Sequence, residues 1–399
     1  MSITVSGCHV MAKPSGSICN IDCKYCFYLE KEKLYPERNL NWRMDERTLE
    51  AYIQQHIDAQ EGNEVIFAWQ GGEPTLLGIE FYQRVIQYCG QYAQEKTIHH
   101  AFQTNGILID ERWCEFFKQN NFLVGLSIDG PQELHDYYRV TRSKKGTHEQ
   151  VMRAVHLFHL YDISFNTLTV VNDKNVHEPI KVYEFLKEIG STYIQFIPLV
   201  ERKINAGEHL AGPNEPFASV TSWSVNANDF GQFLSVIFDY WIRKDVGSVF
   251  VQLFDSVFGS WLGHSAGLCV FSRTCGHAFA LEANGDLYQC DHYVYPEFKL
   301  GNIHEMTIKE MNKSKEAIQF GLNKQNLLDT DCKRCRFLFA CNGGCPKHRF
   351  EISFSSYPNH NYLCRGYYHF FSHIEPYMGV MVQLIKHGRP PADIMKFVR

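Results

Sequence analysis

The feature that most constrains this chain is a rhythm. Between residues 8 and 200, short apolar runs alternate with amphipathic stretches six times. The runs are CHVMAK (8–13), VIFAW (65–69), IHHAFQT (98–104), FLVGLSI (122–128), ISFNTLTVV (163–171) and YIQFIPLV (193–200). They are rich in β-branched and aromatic residues and bounded by turn residues, so they read as buried strands. Helical patterns fill the gaps at 45–59, 78–94, 110–119, 147–161 and 175–189, several opening on Asp, Asn or Thr, which can cap free N–H groups. Strand–helix alternation predicts a parallel sheet with helices outside. Right-handed crossovers wind such a sheet toward a barrel, and six units fall short of the eight that close one. The expected fold is α/β, a partial (β/α)6 barrel with functional residues at the C-terminal strand ends.

Residues 201–225 lose the rhythm and read as a loop or linker. A helix is expected at 229–244 and a closing helix at 372–387. From 265 to 371 cysteines crowd into short, loop-rich text, which implies stabilisation by metal. The expected division is 1–225 barrel, 226–264 helical connector, 265–371 cysteine-rich domain and 372–399 C-terminal helix. The 29 Phe, 21 Tyr and 6 Trp can fill a sizeable core, which excludes global disorder. A net charge of −5 gives no whole-domain basic field, so bulk nucleic-acid binding is not expected. There is no apolar run of about 18 residues and no basic-then-apolar leader, so neither a membrane span nor secretion is expected. A cytoplasmic setting is reducing, and there 14 cysteines read as ligands or reactive thiols rather than disulfides.

Cys19, Cys23 and Cys26 stand in a C-x3-C-x2-C pattern just after the first expected strand. Three thiolates suit an iron–sulfur cluster with one iron left open, whereas structural zinc takes four ligands. A zinc site completed by a distant His or Cys is the alternative. With Tyr25 before the last cysteine, the pattern resembles the radical S-adenosylmethionine (SAM) superfamily. That resemblance implies SAM bound to the open iron, reductive cleavage to a 5′-deoxyadenosyl radical, and a partial (β/α)6 barrel.

Polar motifs sit at three strand ends: Gln70-Gly71-Gly72-Glu73-Pro74, Gln103-Thr104-Asn105-Gly106 and Ser127-Ile128-Asp129-Gly130. Two glycines let backbone approach a ligand closely. The resemblance assigns Glu73, with Gly71 and Gly72, to the SAM ammonium group and Ser127 to SAM binding. Tyr28 and Gln70 match family positions lining the space between SAM and substrate. Arg139 can neutralise the SAM carboxylate through a bidentate contact, or be a surface arginine. Asp129 can equally orient a loop.

The second array is Cys269, Cys275, Cys290, Cys332, Cys335, Cys341, Cys345 and Cys364. Eight thiols can fill two four-ligand sites, and the spacing resembles the SPASM domain with two auxiliary [4Fe–4S] clusters. By that resemblance Cys269, Cys275, Cys290 and Cys345 hold one cluster, and Cys332, Cys335, Cys341 and Cys364 the other. Cofactors would then be three [4Fe–4S] clusters and SAM. A pair of structural zincs is the alternative. Cys8, Cys89 and Cys114 receive no role.

The segments CNIDCKYCFYLEK, FAWQGGEPTLLG, FQTNGILID, FLVGLSIDGP, YQCDHYVYP, LGNI and CNGGCPKHR resemble anaerobic sulfatase-maturating enzymes along nearly the whole chain. The resemblance implies oxidation of a Cys or Ser in a sulfatase motif to Cα-formylglycine. It also implies an unfolded or nascent sulfatase segment as partner and an electron donor such as flavodoxin or ferredoxin. Asp291 matches the family's proposed base, with the auxiliary clusters as electron acceptors. His292 competes as a base, but points to the other side if the local chain is extended. Other SPASM peptide maturases, such as thioether-forming enzymes, are the second reading. Many of those carry a recognition domain ahead of the barrel, for which Cys19 leaves little room. A non-catalytic zinc or iron–sulfur scaffold is the third, and it leaves the polar strand ends unexplained.

Overall fold

The computed structural model describes residues 7–29, 31, 35, 42–204, 210–215 and 217–398. All six expected strands form: β1 (His9–Lys13), β2 (Glu64–Trp69), β3 (Thr97–Thr104), β4 (Phe122–Ser127), β5 (Phe165–Val171) and β6 (Tyr193–Pro198). They lie side by side in chain order, every pair parallel. Strictly alternating burial along β5 shows one face against the helices and one toward the concave side.

The sheet is longer than the rhythm announced. Residues 201–225 are not all loop, since β7 (Arg202–Ile204) and β8 (Ala218–Val220) form a separate antiparallel ribbon. The two-residue β9 (Phe250–Val251) extends the main sheet beyond β6. On the other side β10 (Ala278–Glu282) pairs in parallel with β1, and β11 (Asp286–Tyr288) and β12 (Lys299–Asn302) follow in antiparallel. Among the described residues the sheet therefore has ten strands in the order β12-β11-β10-β1-β2-β3-β4-β5-β6-β9. The run AFALE of β10 lies inside cysteine-rich text, too short for its period to declare itself. Its register sets Lys13 beside Glu282 and brings the cysteine-rich segment to the mouth of the barrel.

Helix starts follow capping chemistry. Asp45 accepts from the Thr48 N–H at 2.7 Å and Asp110 from the Trp113 N–H at 3.0 Å. Thr147 does not cap with its own side chain; Asp136 accepts instead from the N–H groups of Thr147 and His148. The helix expected over 175–189 splits into a short 3-10 turn at Asn175–His177 and a helix at Pro179–Glu188, with Pro179 suited to a first-turn position. A helix at Gln132–Tyr138 escaped the reading because only two of its residues are buried. The helix expected from Asp229 starts at Ala227 and ends at Lys244. The closing helix begins earlier than expected, at Cys364, and runs through Pro376 to Lys386.

Those last two helices touch backbone to backbone. A Cβ on Gly366 would sit 1.9 Å from the Ala227 carbonyl oxygen, and one on Gly231 2.5 Å from that of Gly366. Elsewhere the core is aromatic: Phe67 stacks on Trp69, and His100 on Phe122 with ring centroids 4.6 Å apart. Among the described residues no helix is long and apolar enough to cross a membrane.

Candidate active site

The loop after β1 carries Cys19, Cys23 and Cys26, and neighbouring strand ends hold it by backbone bonds. The Gly72 N–H donates to the Gly16 carbonyl at 2.8 Å and the Glu73 N–H to that of Ile18 at 2.9 Å. A Cβ on Gly72 would stand 1.9 Å from the Ile18 oxygen, and Gly71 has φ +138°. The two glycines thus bring the second strand end against the cysteine loop itself, a reason the sequence did not suggest.

Glu73 is buried. Its carboxylate accepts from the Thr75 N–H and hydroxyl, the Thr104 hydroxyl and the Asn105 N–H, at 2.6–3.1 Å. Burial raises its pKa despite those bonds. Asn105 reaches on to Asn20 at 2.7 Å and to Cys19 Sγ at 3.7 Å, so Glu73 and Asn105 tie the ends of β2 and β3 to the cysteine loop. Ser127 accepts from Gln103 Nε2 at 2.9 Å. Arg139 is buried and donates through Nε to Asp129 at 2.9 Å. The Tyr25 hydroxyl donates to the same Asp129 oxygen at 2.5 Å, while the other oxygen accepts from the Val170 N–H. Asp129 therefore orients Arg139 and ties Tyr25 of the cysteine loop to the end of β4, and Arg139 is not a surface residue.

Neighbouring cysteines act on one another electrostatically. Burial pushes the Cys19 thiol up to about 12, with Glu73 and Cys26 adding to it. Burial also raises Cys23, opposed by Arg139 and reinforced by Cys26 and Cys19. A second group forms around Cys345, pushed up to about 11 by burial with Cys275 and Cys269 nearby, and Cys290 is raised by burial and by Cys345. A third group links Cys364, pushed up to about 12 by burial, with Cys341 and Cys335, and Cys332 with both Cys364 and Cys341. Thiols that influence one another in this way fit metal ligation, because a metal deprotonates a coordinating thiol. Cys332 also lies beside Asp329 and His360, a neighbourhood the spacing did not reveal.

Asp291 begins a 3-10 turn, Asp291–Tyr293, directly after Cys290. The chain is not extended there, so the premise that sends His292 to the other side does not hold. His292 and Asp291 both feel Lys13 and Lys347. His292 is held down to about 3, by burial first and then by Lys347, and its ring lies 5.2 Å from that of Phe27. Asp291 Oδ1 pairs with Lys13 Nζ at 2.5 Å. The same ammonium donates to Gln70 Oε1 at 2.7 Å and lies 4.4 Å from the Tyr28 ring centroid. The Tyr28 hydroxyl donates to Glu282. Burial raises the Asp291 pKa, but Lys13 and His292 outweigh it, and the carboxylate ends below its ordinary value. Tyr28, Gln70 and Asp291 thus meet at one point, and Lys13 joins them. Lys13 and Glu282 escaped sequence reasoning because each ends an apolar strand as a lone charge; the signal was a lysine held at a strand end beside the cysteine motif.

Residues 14–186 match the model of the radical SAM superfamily, and residues 269–336 that of SPASM, an iron–sulfur cluster-binding domain. The serine-type anaerobic sulfatase-maturating enzyme of Bacteroides thetaiotaomicron is 44% identical over 394 residues, 98% of this chain and 95% of its own. This chain belongs to the anaerobic sulfatase-maturating enzymes. The cysteine-type family member of Clostridium perfringens is 34% identical over 379 residues, 92% of this chain and 96% of its own. The solved structure of native anSMEcpe with bound AdoMet and the Cp18Cys peptide aligns with a TM-score of 0.82 at 31% identity, covering 94% of this chain and 99% of that one. The chain is a radical SAM enzyme of this family, with the partial barrel and SPASM extension expected from its sequence.

Proposed function

We propose that this enzyme oxidises a Cys or Ser side chain in a sulfatase motif to Cα-formylglycine, a two-electron oxidation at Cβ. Cys19, Cys23 and Cys26 would hold the SAM-binding [4Fe–4S] cluster. Cys269, Cys275, Cys290 and Cys345 would hold one auxiliary cluster, and Cys332, Cys335, Cys341 and Cys364 the other. When bound, SAM on the first cluster supplies the radical that takes the Cβ hydrogen atom, and the auxiliary clusters accept the second electron. Gly71, Gly72, Glu73, Ser127 and Arg139 would form the SAM-side wall, with Tyr28 and Gln70 between SAM and substrate. Asp291, held beside Lys13 and Gln70, takes the thiol or hydroxyl proton. For Cys the resulting thioaldehyde is hydrolysed with release of hydrogen sulfide.

The domains are read as 1–225 barrel, 226–264 connector, 265–371 auxiliary-cluster domain and 372–399 closing helix. The substrate is an unfolded or nascent sulfatase segment, since a Cβ inside a folded core could not reach the radical. A flavodoxin or ferredoxin would deliver the first electron. The observation that carries this reading is the meeting of Asp291 with Lys13, Gln70 and Tyr28 next to the first cysteine loop, in a chain 44% identical to a serine-type maturase.

The test is an anaerobic assay of the cluster-loaded enzyme with SAM, a reductant and two sulfatase-motif peptides, one with Cys and one with Ser. An aldehyde on either peptide is expected, and none on both would reject the reading. Asp291→Asn should keep SAM cleavage but lose product by about 10²-fold or more; normal turnover would remove Asp291 from the role of base.

A further inference from the structure

Lys13 is the last residue of β1, and only 2% of its side chain is exposed. A buried ammonium is costly unless paired. Its pairing here is specific. The register puts Glu282 beside it on β10, the obvious partner for a lysine serving only the sheet. Glu282 instead accepts from Tyr28, while Lys13 reaches to Asp291 at 2.5 Å and Gln70 at 2.7 Å under the Tyr28 ring. The neighbouring lysines are engaged elsewhere: Lys347 pairs with Glu201, and Lys31 lies over the Tyr295 ring. Among the described residues Lys13 is thus the cation in direct contact with Asp291, and it links residues from three separate segments.

The geometry points to Lys13 as a positioning residue for the oxidation, fixing the carboxylate of Asp291 against Gln70 so that the proton acceptor stands at a set place beside the substrate Cβ. The inference rests on the reading of Asp291 as the base. Lys13 itself neither takes a proton nor touches the reacting atoms; its effect passes through Asp291.

The test is a double-mutant cycle in the cluster-loaded enzyme, with Lys13→Met, Asp291→Asn and the double variant. Three readouts are taken: iron content, the rate of reductive SAM cleavage, and aldehyde formed on the peptide. Lys13→Met should keep iron and SAM cleavage and lose product by about 10²-fold. The double variant should form no less product than Asp291→Asn alone. Lys13→Arg should recover part of the loss, since charge and donors remain. Normal product from Lys13→Met overturns the inference, as do losses that multiply in the double variant or SAM cleavage that falls together with product. If Lys13→Met fails to assemble its clusters, the double variant, which leaves no unpaired carboxylate, is compared with Asp291→Asn. Equal SAM cleavage and equal product are then required, and a lower value of either overturns the inference. A failure of the base reading is separately visible as normal turnover in Asp291→Asn.

Discussion

At the scale of the residue, Gly72 carries the sharpest consequence. Gly72 has no room for a side chain, because the Ile18 carbonyl would meet its Cβ at 1.9 Å. Gly72→Ala must therefore push the cysteine loop off the end of β2. The expected result is loss of the cluster we propose at Cys19, Cys23 and Cys26, read as a partial fall in iron per chain and loss of SAM cleavage. An unchanged SAM cleavage rate would show that the loop tolerates the shift. Glu73 was legible as a carboxylate at a strand end. Two of its four donors, on Thr104 and Asn105, were not, because they lie a whole strand–helix unit away in the chain. Lys13 was hidden for the same reason: its partners Gln70 and Asp291 are 57 and 278 residues distant (70 − 13 and 291 − 13).

At the scale of the element, the strands were legible because apolar runs bounded by turn residues mark buried parallel strands. The start of the closing helix was not, since Cys364 and Gly366 sit in cysteine-rich text that reads as loop. Gly366 earns its place by contact with the helix at Ala227–Lys244. Gly366→Ala should destabilise by about 3 kcal/mol, the upper range for overpacking, and displace Cys364 two residues away. A lower thermal midpoint with reduced iron is expected, and a midpoint equal to the parent's would contradict the packing. Buried histidines add a pH dependence. Burial holds His56 and His100 down to about 4 from 6.5. His56 is satisfied as a neutral ring, between the Ile66 carbonyl at 3.1 Å and the Gln60 amide at 3.2 Å. Their folded pKa lies below the unfolded value, so the unfolded chain binds more protons between about pH 6.5 and pH 4, and stability falls as pH drops through that window. The loss should approach about 2 kcal/mol per histidine by pH 5. Urea unfolding at pH 7 and pH 5 checks it, and His56→Gln should have a shallower slope than the parent; an identical slope would contradict the assignment.

At the scale of the whole molecule, one continuous sheet joins the barrel to the cysteine-rich segment through the pairing of β1 with β10. The motif of Cys19, Cys23 and Cys26 and the strand-end motifs were readable because their spacing is local, whereas the division of the other eight cysteines rested on the family resemblance, since Cys290 and Cys345 are 55 residues apart (345 − 290). The ten-strand sheet was not, since β10 joins it across more than half the chain. This continuity brings Asp291 to Lys13 and ties the two halves of the chemistry together. Loss of a proposed auxiliary ligand, as in Cys335→Ala, should therefore lower both iron content and the thermal midpoint of the segment from 265 to 371, since metal binding couples to folding; retained folding with full activity would refute it. The most direct test of the central claim is isotopic. A sulfatase-motif peptide deuterated at the Cβ of its Ser or Cys is incubated anaerobically with the cluster-loaded enzyme, SAM and reductant, and the 5′-deoxyadenosine is weighed by mass spectrometry. Deuterium in that nucleoside, matched by aldehyde on the peptide, is the predicted result; cleavage of SAM with no deuterium transferred, or no cleavage at all, would contradict it.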